Sequence, residues 1–207
     1  MLDLNSFFDK IYCINLDERK DRWTETTAEL TKWGIGSQVS RFSAVNGSAL
    51  KNTYPVNNGE LGLILTHEKI IQEASDKNYQ SILILEDDIQ FTDGVIDLPN
   101  YFEALPDDWD ILWFGANHNV HCGNKIELIN NKIIKCNKAF STHCIAFNHT
   151  IYTTALELIA NKQKAVDVYY WELQQSYNCY AFNPSLAVQR PSYSDIQKEH
   201  QDNRWLF

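Results

Sequence analysis

The densest chemistry in the sequence is Glu86-Asp87-Asp88, three consecutive carboxylates closing the apolar run Ile82-Leu83-Ile84-Leu85. Four bulky apolar residues without alternation read as a parallel strand covered on both faces. Open α/β sheets bind their ligands outside the carboxyl ends of such strands. Crowded carboxylates repel one another and invite a divalent cation, and hard oxygen ligands suit Mg²⁺ or Mn²⁺. A cation held there would bridge two phosphates and take up the charge of a departing nucleoside diphosphate. An acidic cap on the next segment would account for one carboxylate, but not for three.

Asn15-Leu16 followed by Arg19 and Arg22 forms the second constellation. Helical spacing would put both guanidiniums on one face just past a first strand, and Arg forks suit phosphate or ribose-side contacts. With Asp17, Glu18 and Asp21 beside them, the same residues would also serve as a solvated surface helix. Glu60 and His67 share a helix face two turns apart. Gly59 and Gly62 between and beside them would let a ligand or another segment approach closely; a lone His is as readily structural. Asp167 and Glu172 lie among aromatics in Val166-Asp167-Val168-Tyr169-Tyr170-Trp171-Glu172. Either could meet a sugar hydroxyl or act as a general base, or be a polar residue at an interface. His118, Cys122, His143 and Cys144 have no regular zinc spacing, and there is no GxGxxG, Walker A run, GxSxG or HExxH.

The elements that must position these groups follow from pattern. Residues 10–16 read as a first strand, a helix runs to about Trp33 and stops at Gly34 and Gly36, and 39–45 is a second strand ending at Asn46-Gly47. The apolar recurrence over 60–77 predicts a helix, followed by the strand at 81–85. A loop and short helix pass Pro99 and Pro106 to a strand at 110–114. Residues 124–136 suggest short strands about Asn130-Asn131, and 142–147 another strand. Helices are predicted over 151–162 and in the middle of 166–180, before a polar tail ending in Trp205-Leu206-Phe207. Strands alternating with helices through residue 115 predict an open α/β sheet with mostly parallel strands. The chain reads as one domain, with strands and helices alternating over residues 1–115 and a mixed, loop-rich half over 116–207.

The 207 residues suffice for one well-filled core. Hydrophobic residues at 44% and charged residues at 22% set a globular balance. The 6 Trp, 10 Tyr and 10 Phe serve packing first and sugar or base contacts second. A net charge of -9 with no block of Lys or Arg argues against a nucleic-acid partner. It also means that a phosphorylated substrate must be met by a local metal or a few placed Arg residues. Five cysteines, an odd number without paired spacing, argue against a complete disulfide framework, and Cys13 reads as a buried free thiol. The opening residues are too short and polar for a secretory signal, and no run of apolar residues is long enough to span a membrane. The expected compartment is therefore cytoplasmic.

Assembled in order, these residues resemble glycosyltransferase family 25, the lipooligosaccharide β-galactosyltransferases and collagen hydroxylysine galactosyltransferases. Ile14-Asn15-Leu16 with Arg19 and Arg22 resembles the family's first-strand signature, and Arg41 with Ala44-Val45-Asn46-Gly47 its next block. Gly59-Glu60-Leu61-Gly62 with Thr66-His67 is similar to its glycine–glutamate helix, and Leu85-Glu86-Asp87-Asp88 to its metal-binding motif. Trp109-Asp110 with Gly115, Ala139-Phe140, Thr142-His143, Val166-Asp167, Asn183-Pro184-Ser185-Leu186 with Gln189, and Ser194-Asp195-Ile196 follow in sequence. Leu63, Thr66, Phe114 and Asn46 stand where relatives usually have cysteine, serine, leucine and often aspartate. The resemblance implies a GT-A fold, Mn²⁺ or Mg²⁺, a UDP-galactose or UDP-glucose donor, and inverting transfer to a glycan or hydroxylysine hydroxyl. It implies Asp87 and Asp88 as metal ligands supported by Glu86. Asn15, Arg19, Arg22, Asn46, Glu60 and His67 would shape the donor pocket, with Asp167 the first choice for the general base and Glu172 the reserve. The rival expectation is a non-catalytic nucleotide-sugar- or carbohydrate-binding domain of the same fold.

Overall fold

The computed structural model describes residues 2–194 and 196–202; Asp195 of the closing block and the Trp205-Leu206-Phe207 tail lie outside them. In chain order the elements begin with β1 (Lys10–Asn15), α1 (Lys20–Lys32), β2 (Val39–Ser43), α2 (Asn58–Asp76), β3 (Ser81–Glu86) and β4 (Ile89–Phe91). They continue with α3 (Leu98–Ala104), β5 (Ile111–Trp113), β6 (Glu127–Leu128), β7 (Ile133–Lys135), β8 (Cys144–Asn148) and α4 (Tyr152–Ile159). The last are α5 (Val166–Leu173), β9 (Cys179–Phe182), β10 (Ala187–Gln189), β11 (Ser192–Ser194) and β12 (Glu199–Gln201).

Eight strands form one sheet in the order β2-β1-β3-β8-β5-β9-β7-β6. The sheet is mixed. β1 is parallel to β2 and β3, and β5 is parallel to β9, but β8 runs antiparallel to both β3 and β5, and β7 antiparallel to β9 and β6. The sheet strands before residue 115, β2, β1, β3 and β5, therefore all run in one direction as expected, and the antiparallel β8 lies among them. β8 comes from the second half of the chain and inserts between β3 and β5, so the two halves interleave in one sheet.

Alternation along the strands explains the two cores. Tyr12, Ile14, Ile82, Ile84, Ile145 and Phe147 face α2, α4 and α5, while Ile11, Cys13, Leu83, Leu85, Cys144 and Ala146 face α1 and α3. Covered on both faces, the central strands have no polar side to show, which is why they read as unbroken apolar runs. The five cysteines are free thiols, and Cys13 is buried. Among the described residues no helix is long and apolar enough to cross a membrane.

Two glycines fix how α2 meets the sheet. A Cβ on Gly47 would lie 1.7 Å from the Asn58 carbonyl oxygen, and one on Gly62 would lie 2.4 Å from that of Val45. The close approach expected at this helix is therefore to the chain's own 45–47 segment. Asn57 and Glu60 close a capping box at its start, so the helix begins at a fixed residue. Two small antiparallel pairs were not anticipated from the sequence: β4 with β10, and β11 with β12.

Candidate active site

Glu86 is the last residue of β3, and Asp87-Asp88 turn the chain into β4. The turn is held from two sides through its backbone. The Thr26 hydroxyl of α1 donates to the Asp87 carbonyl at 2.6 Å, and the Arg190 backbone N–H donates to the Asp88 carbonyl at 2.7 Å. The Arg190 guanidinium adds a second bond to the Asp87 carbonyl. The carboxylates are thus presented at the carboxyl ends of β1 and β3, on the rim of a cleft of about 460 Å³.

Arg22 dominates the electrostatics. It sits on the buried face of α1 with Thr26 and Leu30, one helical turn apart each. Its Nε lies 2.7 Å from Asp87 Oδ1 and its Nη2 2.7 Å from Asp88 Oδ2, bridging the pair. Asn15 at the end of β1 donates from Nδ2 to Asp87 Oδ2 at 2.6 Å, and its own Oδ1 accepts from Arg41. Both oxygens of Asp87 are therefore engaged. Asp88 Oδ1 is buried and has no hydrogen-bond partner among the described residues. Glu86 turns away to accept from the Thr142 hydroxyl at 2.6 Å.

Burial raises the Asp87 pKa, and the opposing pull of Arg22 and the Asn15 hydrogen bond does not cancel it. Burial works against the Arg22 charge, but Asp88, Asp87 and Glu86 together outweigh it and its pKa rises. The two shifts differ in what wins: desolvation for the carboxylate, three neighbouring anions for the guanidinium. Burial, and after it the charge of Asp88, push Glu86 up to about 8.

Among the described residues no three His, Cys, Asp or Glu side chains converge to hold a metal ion. Of the carboxylates expected at a metal, Asp87 and Asp88 are bridged by Arg22, and Glu86, expected in support, turns to Thr142. What fits a hard cation is narrower: the orphaned, buried Asp88 Oδ1 beside Asp87 in the lining of the cleft.

The cleft is also lined by Asn15, Asn46, Glu60, Glu86 and Asp167. Asn46 caps the 3₁₀ turn at Gly47–Ala49 and bonds Glu18. The Glu60 carboxylate accepts the Asn57 N–H in the capping box, a structural duty at the cleft edge. Asp167 stands in the first turn of α5, where burial raises its pKa against the lowering effect of the Val168 and Ser141 backbone N–H groups.

Three expected residues lie elsewhere. Arg19 precedes α1 as its N-cap, outside helical geometry, and pairs with Asp21, so it does not share a helix face with Arg22. His67 is fully buried between α2 and the sheet, with Nδ1 2.9 Å from the Tyr170 hydroxyl and its ring against Phe147. Glu172 forms an ion pair with Lys164 at the surface, outside the cleft lining. Residues the sequence reading had not picked out include Thr26, Arg190, Asn117, Ser141 and Ser192. Only the position of Arg190 beside Gln189 offered a signal.

A mixed sheet with a carboxylate turn ending its central β3 and a cleft over that end is a GT-A-like glycosyltransferase fold. Residues 8–170 match Glycosyltransferase family 25 (LPS biosynthesis protein), and the chain belongs to that family. It is 28% identical over 131 residues to procollagen galactosyltransferase 2 of Homo sapiens, covering 52% of this chain and 21% of that protein. Procollagen galactosyltransferase 1 of Danio rerio gives the same identity and coverage. A mouse relative named inactive glycosyltransferase 25 family member 3 is 24% identical over 134 residues, covering 52% of this chain and 22% of that protein. The chain thus spans about a fifth of the length of these curated relatives. Among solved structures, A197 from STIV aligns over 93% of both chains at 13% identity and a TM-score of 0.46. A glycosyltransferase involved in glycosylation of the PBCV-1 major capsid covers 72% of this chain and 65% of its own, at 11% identity and a TM-score of 0.42.

Proposed function

We propose that the chain is an inverting hexosyltransferase that moves galactose or glucose from a UDP-sugar to a hydroxyl of a glycan or hydroxylysine, assisted by Mn²⁺ or Mg²⁺. The observation that carries this reading is one cleft lined by the Asp87-Asp88 turn and by Asp167. Donor-side and acceptor-side groups then share one space. The names of the procollagen galactosyltransferases make galactose the first donor to try.

In the proposed reaction Asp167 accepts the proton of the acceptor hydroxyl, whose oxygen bonds to the anomeric carbon as the bond from that carbon to the UDP oxygen breaks. One base and one displacement invert the configuration. Burial keeps Asp167 more basic than an exposed aspartate, and backbone N–H groups fix its orientation. Asn15, Asn46 and Glu60 shape the donor side, and Arg22 supplies fixed positive charge to the diphosphate. A divalent cation held through Asp88, with Asp87 beside it, would add charge stabilisation to the leaving UDP.

The rival is a non-catalytic nucleotide-sugar-binding domain, a reading supported by the mouse relative named inactive. UDP release separates the two. A panel of UDP-sugars is tested with Mn²⁺, Mg²⁺ or EDTA, with and without galactosides, glucosides and hydroxylysine, in the native chain and Asp88→Ala. The proposal expects release from one donor that needs metal, rises with acceptor and is lost in the variant. Binding of UDP with no release from any donor would leave the non-catalytic reading.

A further inference from the structure

The Arg22 bridge bears on how a cation can enter. Its guanidinium meets Asp87 through Nε and Asp88 through Nη2, each at 2.7 Å, so one positive group stands between the two carboxylates. The other oxygen of Asp87 is taken by Asn15. Of the four oxygens of this pair, Asp88 Oδ1 alone has no partner among the described residues, and it is buried. A divalent cation arriving there alone meets a single unbonded oxygen on a carboxylate already shared with a guanidinium, and the positive charge of that guanidinium next to it. Both effects weaken binding.

A nucleoside diphosphate changes the balance. Its phosphate oxygens offer the Arg fork a second anion of suitable geometry, bring negative charge to the cation, and fill its remaining ligand positions. Building on the proposed metal-assisted transfer, we infer that Arg22 and the divalent cation compete for Asp88, so that the cation binds tightly only together with the nucleotide. Arg22 is then a positioning residue: it holds the carboxylates in place before the cation arrives and passes to the phosphates afterwards. Ligands that bind one arrangement better than the other shift the equilibrium by that difference and no more.

Mn²⁺ binding, read from loss of the free-ion EPR signal, tests this in the native chain and in Arg22→Met, each with and without UDP. The native chain is expected to bind Mn²⁺ about tenfold or more tighter with UDP than without, within the usual range of coupling. Without UDP, Arg22→Met is expected to bind Mn²⁺ about tenfold tighter than the native chain, and Mn²⁺ is expected to raise its melting temperature more than that of the native chain. A purely structural Arg22 would give no such gain. Should Arg22→Met not fold, Arg22→Lys serves, because an ammonium cannot reproduce the planar fork across two carboxylates. Its Mn²⁺ affinity without UDP should rise in the same direction. Equal Mn²⁺ affinity with and without UDP in the native chain, or no gain in the variants, overturns the competition while leaving metal-assisted transfer standing. Absence of Mn²⁺ binding to the native chain even with UDP removes the metal reading itself, and the competition with it.

Discussion

His67 offers a test in which the structure and the family resemblance part company. Burial holds the folded imidazole neutral down to about pH 3, against an ordinary value of 6.5. The folded value is depressed, so the fold is at full strength above 6.5 and loses stability as pH falls toward 3, because only the unfolded chain takes up the proton. Moving from pH 7.5 to pH 5 crosses about 1.5 pH units below 6.5, which at 1.36 kcal/mol per unit removes about 2 kcal/mol. His143, also buried and lowered to about 4, adds a similar loss over the same window. Together these are a large share of a typical stability of about 5–15 kcal/mol. Substituting His67→Gln removes one titration while keeping a polar group for the Tyr170 hydroxyl. Urea unfolding followed by tryptophan fluorescence should show the native midpoint falling by roughly 1 M more than the variant's between pH 7.5 and 5, taking a slope of about 2 kcal/mol/M. Parallel pH profiles for the two proteins would refute the buried neutral histidine. The variant's apparent affinity for UDP should be unchanged, since His67 faces Tyr170 and Phe147 and not the cleft.

Gly62→Ala forces a methyl to 2.4 Å from the Val45 carbonyl oxygen; it should cost about 3 kcal/mol and lower the melting temperature by roughly 6–12 °C. Asp167→Asn should cut acceptor-dependent turnover by about 100-fold or more while leaving UDP affinity intact in a binding assay. Glu172→Gln loses only a surface ion pair with Lys164; it should change stability by less than about 1 kcal/mol and turnover by less than about threefold.

Legibility in the sequence followed locality. The β3 run and its abrupt acidic end could be read because burial on both faces and a charged turn leave a local mark. The same holds for the start of α2, where Asn57 and Glu60 form a capping box. Non-local pairing left no such mark. Nothing in Cys144–Asn148 says that β8 will run antiparallel between β3 and β5, and three-residue strands such as β10 and β11 carry too few side chains for a pattern. Glu60 and His67 do share a helix face, yet the first turn of α2 reaches the cleft rim while His67 lies beneath the sheet, so a shared face did not mean a shared site. Arg19 and Arg22 parted because the helix starts one residue after Arg19. Asp167 and Glu172 could have been separated in advance: five residues on an α-helix leave side chains about 140° apart, and only Asp167 lines the cleft.

The carboxylate turn also has to survive folding before it meets any nucleotide. Asp87 and Asp88 are only 8% exposed each, and a buried carboxylate without a partner costs several kcal/mol. A cation that arrives with the nucleotide cannot meet that cost in the empty protein. Arg22 does, with Asn15 and the Thr26 and Arg190 bonds holding the turn from α1 and the C-terminal segment. The guanidinium that makes the empty site foldable is therefore the one that keeps a lone cation out. On this reasoning Asn15, Arg22, Asp87 and Asp88 form one unit, in which stability without ligand and order of binding follow from the same two ion pairs.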